Sequence, residues 1–121
     1  MVRRQSRQIK TEAADKLNLK RGLESMITHI VLFKLKDRSP EAVKRTYGVL
    51  ANMEGKIPVL RHLEVGMDVL HLERSYDIAL ITKFDSLEDL KTYDTHPVHE
   101  EVKAHMKQVL DGTSICVDFQ S

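Results

Sequence analysis

The sequence predicts a small α+β domain whose elements run β-α-β-β-α-β around a four-stranded antiparallel sheet. Three observations lead there. Short β-branched and apolar runs recur near residues 27–36, 59–69, 76–84 and 113–119. Segments with apolar residues at helical spacing separate the first run from the second and the third from the fourth. Ser, Pro and Gly punctuate the boundaries at Ser39-Pro40, Gly55, Pro58, Ser86, Pro97 and Gly112. That order is the ferredoxin-like arrangement.

A chain of 121 residues suffices for one domain and is too short for two. Apolar residues make up 41% and the net charge is +1, so no global field draws nucleic acid or anionic lipid. No apolar run approaches the ~20 residues of a membrane span. The single cysteine, Cys116, excludes an intramolecular disulfide framework and suits a reducing, cytoplasmic compartment. By type it reads as a small core residue. The near-zero charge hides an asymmetry: residues 1–25 hold seven Lys/Arg against three Asp/Glu, and the rest hold twelve against fifteen. Residues 1–25 are expected to be a basic extension, with a weak helix on Ile9, Ala13 and Leu17. Met26 is expected to be the natural start of a domain spanning residues 26–121.

Residues 27–36 (ITHIVLFKLK) read as the first strand. Ser39 can cap the next helix, and Pro40 fits its first position, where a missing N–H costs nothing. Val43, Tyr47 and Leu50, with Thr46 and Met53 beside them, form its apolar side. Residues 59–69 alternate, with Leu63, Val65 and Met67 opposite His62, Glu64 and Asp68. Residues 76–84 (YDIALITKF) form the third strand. Ser86 opens a helix as a capping-box variant with Asp89. Pro97 breaks that helix, because the residue before a proline leaves the helical region, and starts a second. Val98, Val102, Met106 and Val109 form the stripe of the second helix, Gly112 ends it, and residues 113–119 (TSICVDF) close the sheet.

With both helical segments on one face, the other face of the sheet should be polar. It is not. Residues 27–36 place His29, Val31, Phe33 and Leu35 on one side and Ile30 and Leu32 on the other. Residues 76–84 set Ile78 and Leu80 against Ala79 and Ile81. Five such side chains left wet would forgo on the order of 10 kcal/mol. A second copy related by two-fold symmetry is the simplest cover, closing a barrel from two sheets.

The strand Thr28-His29-Ile30-Val31-Leu32-Phe33-Lys34-Leu35-Lys36, Gly66 and Asp68, Tyr76-Asp77, the run Tyr93-Asp94-Thr95-His96-Pro97-Val98-His99 and the closing Val117-Asp118-Phe119 together resemble the stress-responsive A/B barrel domain family. The likeness covers residues 27–119. It implies a dimeric α+β barrel. A plant member of that family closes a polyketide by a cofactor-free aldol reaction, and its cavity tyrosine and histidines correspond here to Tyr93, His99 and His29.

An aldol closure needs a base beside a carbonyl and a donor for the developing oxyanion. A neutral imidazole titrates near physiological pH, so His99 suits the base. Tyr93 suits a group that orients it or binds a carbonyl oxygen. His29, projecting with Val31 and Phe33, is expected on the barrel-interior side as a substrate-binding group, with His96 near it. Each has a plainer reading. His99 can bond nearby backbone, His96 can tie the helix break, and Tyr93 can be a core residue with its hydroxyl satisfied at the rim. Pro97 separates His96 from His99 and nothing completes a tetrahedral site, so no metal is expected, nor any cofactor. His105 and Glu101 read as a surface pair.

The expected function is therefore a homodimer that binds a small apolar carbonyl or phenolic compound, with lyase- or cyclase-like acid/base chemistry as its sharper form. A non-enzymatic binding or assembly module and a cofactor-independent oxygenase are the alternatives.

Overall fold

The computed structural model describes residues 25–121. The basic segment, with its expected helix on Ile9, Ala13 and Leu17, lies outside the described residues up to position 24. The elements are β1 (Ile27–Phe33), α1 (Pro40–Ala51), β2 (His62–Met67), β3 (Ile78–Phe84), α2 (Leu87–Asp94), α3 (Pro97–Val109) and β4 (Ile115–Gln120). The four strands form one antiparallel sheet in the order β2-β3-β1-β4. This is the ferredoxin-like α+β fold.

Local chemistry places the helices where the sequence predicts them. Ser39 accepts a hydrogen bond from the Ala42 N–H at 3.2 Å, and Pro40 occupies the first turn of α1. Ser86 caps α2 by accepting from the Asp89 N–H at 3.1 Å. Pro97 starts α3, and His96 before it stays extended, its Nδ1 accepting the Val98 N–H at 3.1 Å. Gly55 and Gly112 take positive φ after α1 and α3, where a side chain would strain the turn.

Strand register assigns the faces. His29, Val31 and Phe33 lie opposite Thr82, Leu80 and Ile78 of β3, and His29 and Val31 lie opposite Asp118 and Cys116 of β4. These residues face the helices, since Val31, Phe33, Ile78 and Leu80 pack into one core with Leu50, Met53, Tyr93, Val102 and Met106. The other face carries Ile30, Leu32, Ala79, Ile81, Ile115, Val117 and Phe119, of which the last three are 46%, 53% and 44% exposed.

Several expectations need correction. His29, Val31 and Phe33 were expected on the barrel-interior side, yet they point under the helical layer, away from the open face. Cys116 is exposed rather than buried, because β4 is an edge strand. On α1 the buried residues are Ala42, Thr46 and Leu50, with Val43 only half-buried, so the core side is rotated from the expected Val43-Tyr47-Leu50 line. His105 does not pair with Glu101; its Nε2 lies 3.3 Å from the Thr46 hydroxyl, joining α3 to α1. The second strand is shorter than 59–69, because the Leu60 N–H turns back to the Ile57 carbonyl.

At the far end of β1 the buried Asp77 carboxylate accepts the Leu35 N–H at 2.8 Å and Arg38 Nε at 2.9 Å. The same guanidinium donates to the carbonyls of Leu72 and Ser75. The β2–β3 loop is thereby held against the sheet.

Candidate functional site

A cavity of about 700 Å³ lies between the sheet and α3. Its apolar lining comes from Val31 and Phe33 of β1, Leu80 of β3, Leu50 of α1, Val102 and Met106 of α3, and Leu110. Alternation in β1 and the 3.6-residue period of α3 aim these side chains at one another. His29 enters from the sheet and His99 from the first turn of α3. Glu100, Lys103 and Lys107 border the opening along α3, with Ser114 and Cys116 across from them.

His99 is fixed on two sides. Its Nδ1 lies 3.0 Å from the Asp94 carbonyl, which can only accept, so Nδ1 carries the proton and Nε2 holds the free lone pair. Its ring stacks on Tyr93 with centroids 4.1 Å apart and planes 29° apart. The side chain is 12% exposed. Burial lowers its pKa below the ordinary histidine value, with Lys103 and His29 adding to the effect and the Asp94 backbone bond opposing it. The imidazole is thus neutral at physiological pH.

Tyr93 stands behind His99 rather than in the cavity wall. It is 1% exposed, packs on Phe84 with centroids 4.8 Å apart, and points its hydroxyl at Met53 Sδ, 3.9 Å away. Burial pushes its pKa above the ordinary tyrosine value, with the Asp94 charge adding to the rise, so the phenol stays protonated. His29 lies 6.4 Å from the Tyr93 ring, and its Nδ1 pairs with the Asp118 carboxylate directly across the β1–β4 ladder. A carboxylate accepts, so this partner too turns Nε2 outward. His96 is engaged in capping α3 and does not line the cavity.

The fold therefore brings His29, Val31, Phe33 and His99 to one cavity, with Tyr93 as the platform under His99 and His96 outside. Asp118 and the Lys103–Lys107 border carried no expectation from the sequence. An acidic residue inside the apolar run ICVDF was the available signal for Asp118, but only the register sets it against His29. Chemically the cavity offers two imidazoles whose ring partners hold Nδ1, which suits proton transfer to or from an apolar guest. Among the described residues no three His, Cys, Asp or Glu side chains cluster as metal ligands, and no helix is long and apolar enough to cross a membrane.

The stress responsive A/B barrel domain family model matches residues 27–121. An uncharacterized Streptomyces coelicolor protein is 36% identical over 101 residues, covering 78% of this chain and 99% of its own length. A dimeric protein of unknown function from Bacteroides fragilis, with a ferredoxin-like fold, is 33% identical with a TM-score of 0.68, covering 79% of this chain and 96% of that one. A hydroxynitrile lyase from Passiflora edulis superposes with a TM-score of 0.68 at 15% identity, covering 79% and 93%; that likeness is one of fold.

Proposed function

Since the chain belongs to the stress responsive A/B barrel domain family, we propose that it is a homodimer in which each subunit takes a small, mostly apolar carbonyl or phenolic compound into the cavity beneath α3. There His99 acts as a cofactor-free base. The carrying observation is the state of His99: neutral by burial, its Nδ1 proton held by the Asp94 carbonyl, its ring on an apolar cavity. A base in that state can remove a proton beside a carbonyl at Nε2 and return it to the guest from the same nitrogen, while His29, its Nδ1–H held by Asp118, is a second accepting imidazole on the cavity. Tyr93 then positions the imidazole and takes no part in proton transfer.

Two observations support the dimer. The open face exposes Ile115, Val117 and Phe119 in one apolar surface, and the homologous Bacteroides fragilis protein is dimeric. In this reading the function belongs to residues 26–121, the basic segment 1–25 is an extension outside that domain, and the setting is cytoplasmic.

A second reading, a binding module without turnover, is favoured by the Tyr93 hydroxyl facing Met53, which removes one donor from the cavity. Incubation with a long-chain methyl ketone in deuterated water, followed by proton NMR, separates the two. Accelerated exchange beside the carbonyl, abolished by His99→Ala while the ketone still binds, is the expected result. Binding without exchange would establish the module, and absence of binding would overturn both readings.

A further inference from the structure

The cavity has two chemically different ends. His99 stands in the first turn of α3 and Lys107 in its last, eight residues on. At the rise of an α-helix that separates the imidazole end from the lysine end by about 12 Å. The wall between them is apolar, formed by Val102 and Met106 of α3 facing Val31, Phe33 and Leu80 of the sheet.

The two lysines of the opening are not equivalent. Lys103 is occupied, its Nζ 3.5 Å from an Asp94 carboxylate oxygen and 3.3 Å from one of Glu100. Glu100, the one carboxylate bordering the cavity along α3, is thereby balanced near the imidazole end. Lys107 lies a turn further on, is exposed, and makes no ion pair among the described residues. A lysine stem lies along apolar surface while its ammonium stays at the water boundary, which suits it to meet a charged head whose tail is buried.

We infer that the guest is an elongated apolar carboxylate, seated with its tail along Val102 and Met106, its anionic head on Lys107, and its other end at His99 and His29. The inference rests on the cavity reading above and names its substrate class. It follows that the reacting atoms lie at the end of the molecule remote from the carboxylate. The anion supplies orientation, and the lysine contributes to binding without touching the reacting centre.

Calorimetric titration of the full chain with decanoate and with decanol, which share a tail and differ in the head, tests this. The wild type should bind decanoate about ten-fold more tightly than decanol, the discrimination a charge-assisted hydrogen bond provides. Lys107→Met, which keeps the apolar stem, should bring decanoate to the level of decanol and leave decanol unchanged. Lys107→Gln serves the same purpose if the methionine variant does not fold. Lys103→Met should change the preference less, since that ammonium is already paired. Equal binding of the two compounds by wild type, or equal weakening of both by Lys107→Met, would overturn the carboxylate assignment and leave the cavity reading standing. Failure of both compounds to bind would sink the two together.

Discussion

The two faces of the sheet are built from the same four strands and differ in the side chains they carry. On the helical side the apolar residues are interrupted at one level by polar ones, His29, Thr82 and Asp118 lying side by side across three strands. On the open side Ile30, Leu32, Ala79, Ile81, Ile115 and Val117 adjoin across β3, β1 and β4, while Glu64 lies beside Ile81 on the edge strand β2 and Thr28, Lys83 and His62 form a row at one end. Polar groups are costly under a helical layer unless each is partnered, and here Asp118 partners His29 while Thr82 donates to the His29 carbonyl at 3.4 Å. In the reading proposed above, their presence marks the side that handles a guest. The apolar patch of the open side offers another apolar surface a place to pack, which is what assembly requires.

If the faces have these separate roles, they can be broken separately. The largest effect is expected from Val117→Lys, which puts a charge at the middle of the open face. Ile115, Val117 and Phe119 are about half exposed, so covering them would stabilise a pair by about 1 kcal/mol per side chain, and with a buried lysine added light scattering should show the particle mass falling from two chains to one. An unchanged dimer would place the interface elsewhere. Leu50→Ala strikes the helical side, where Leu50 is 0% exposed. It should cost about 2–5 kcal/mol in chemical denaturation while the folded protein remains dimeric. His96→Ala removes the bond that caps α3 and should cost about 1 kcal/mol. Ketone binding should persist in that variant, because His96 lies outside the cavity.

The smallest effect is that of pH. The folded pKa of His99 is depressed, so the unfolded chain binds its proton first as the solution is acidified. The contribution of His99 to stability is therefore complete above about pH 6.5 and declines below it, toward the lower folded value. As pH falls from neutral through that window, the melting temperature of wild type should drop relative to that of His99→Gln. A wild-type melting temperature that rises relative to the variant would mean that the folded state binds the proton more tightly than the unfolded chain.

How far the sequence reaches differs between these faces as well. Ser39-Pro40, Ser86 and Pro97 marked the start of each helix, because caps and proline act through local backbone geometry that the sequence carries directly; the end of α1 falls at Ala51, short of the expected stop at Gly55 and Pro58. Alternation in β1 correctly grouped His29 with Val31 and Phe33, but it does not say which group the helices cover. The choice depends on packing between distant elements, which is why the barrel side was assigned to the wrong group. Cys116 and His105 failed for related reasons. Residue type favours a buried cysteine, yet β4 is an edge strand, and the i, i+4 spacing of Glu101 and His105 competes with a buried threonine on another helix. The pairing of Asp118 with His29 joins residues 89 apart in sequence and becomes visible only with the strand register. The cavity histidines were legible as types in a motif; their tautomers and the burial that neutralises His99 were not.

Base chemistry in the cavity depends on the condition of one imidazole, which nitrogen-15 NMR of the histidine side chains measures directly. A pH titration of the wild-type protein should show His99 protonated at Nδ1, with Nε2 bare, and titrating below about pH 6.5. A His99 ring that titrates at or above that value, or that carries its neutral-form proton on Nε2, would mean that the cavity holds no ready base.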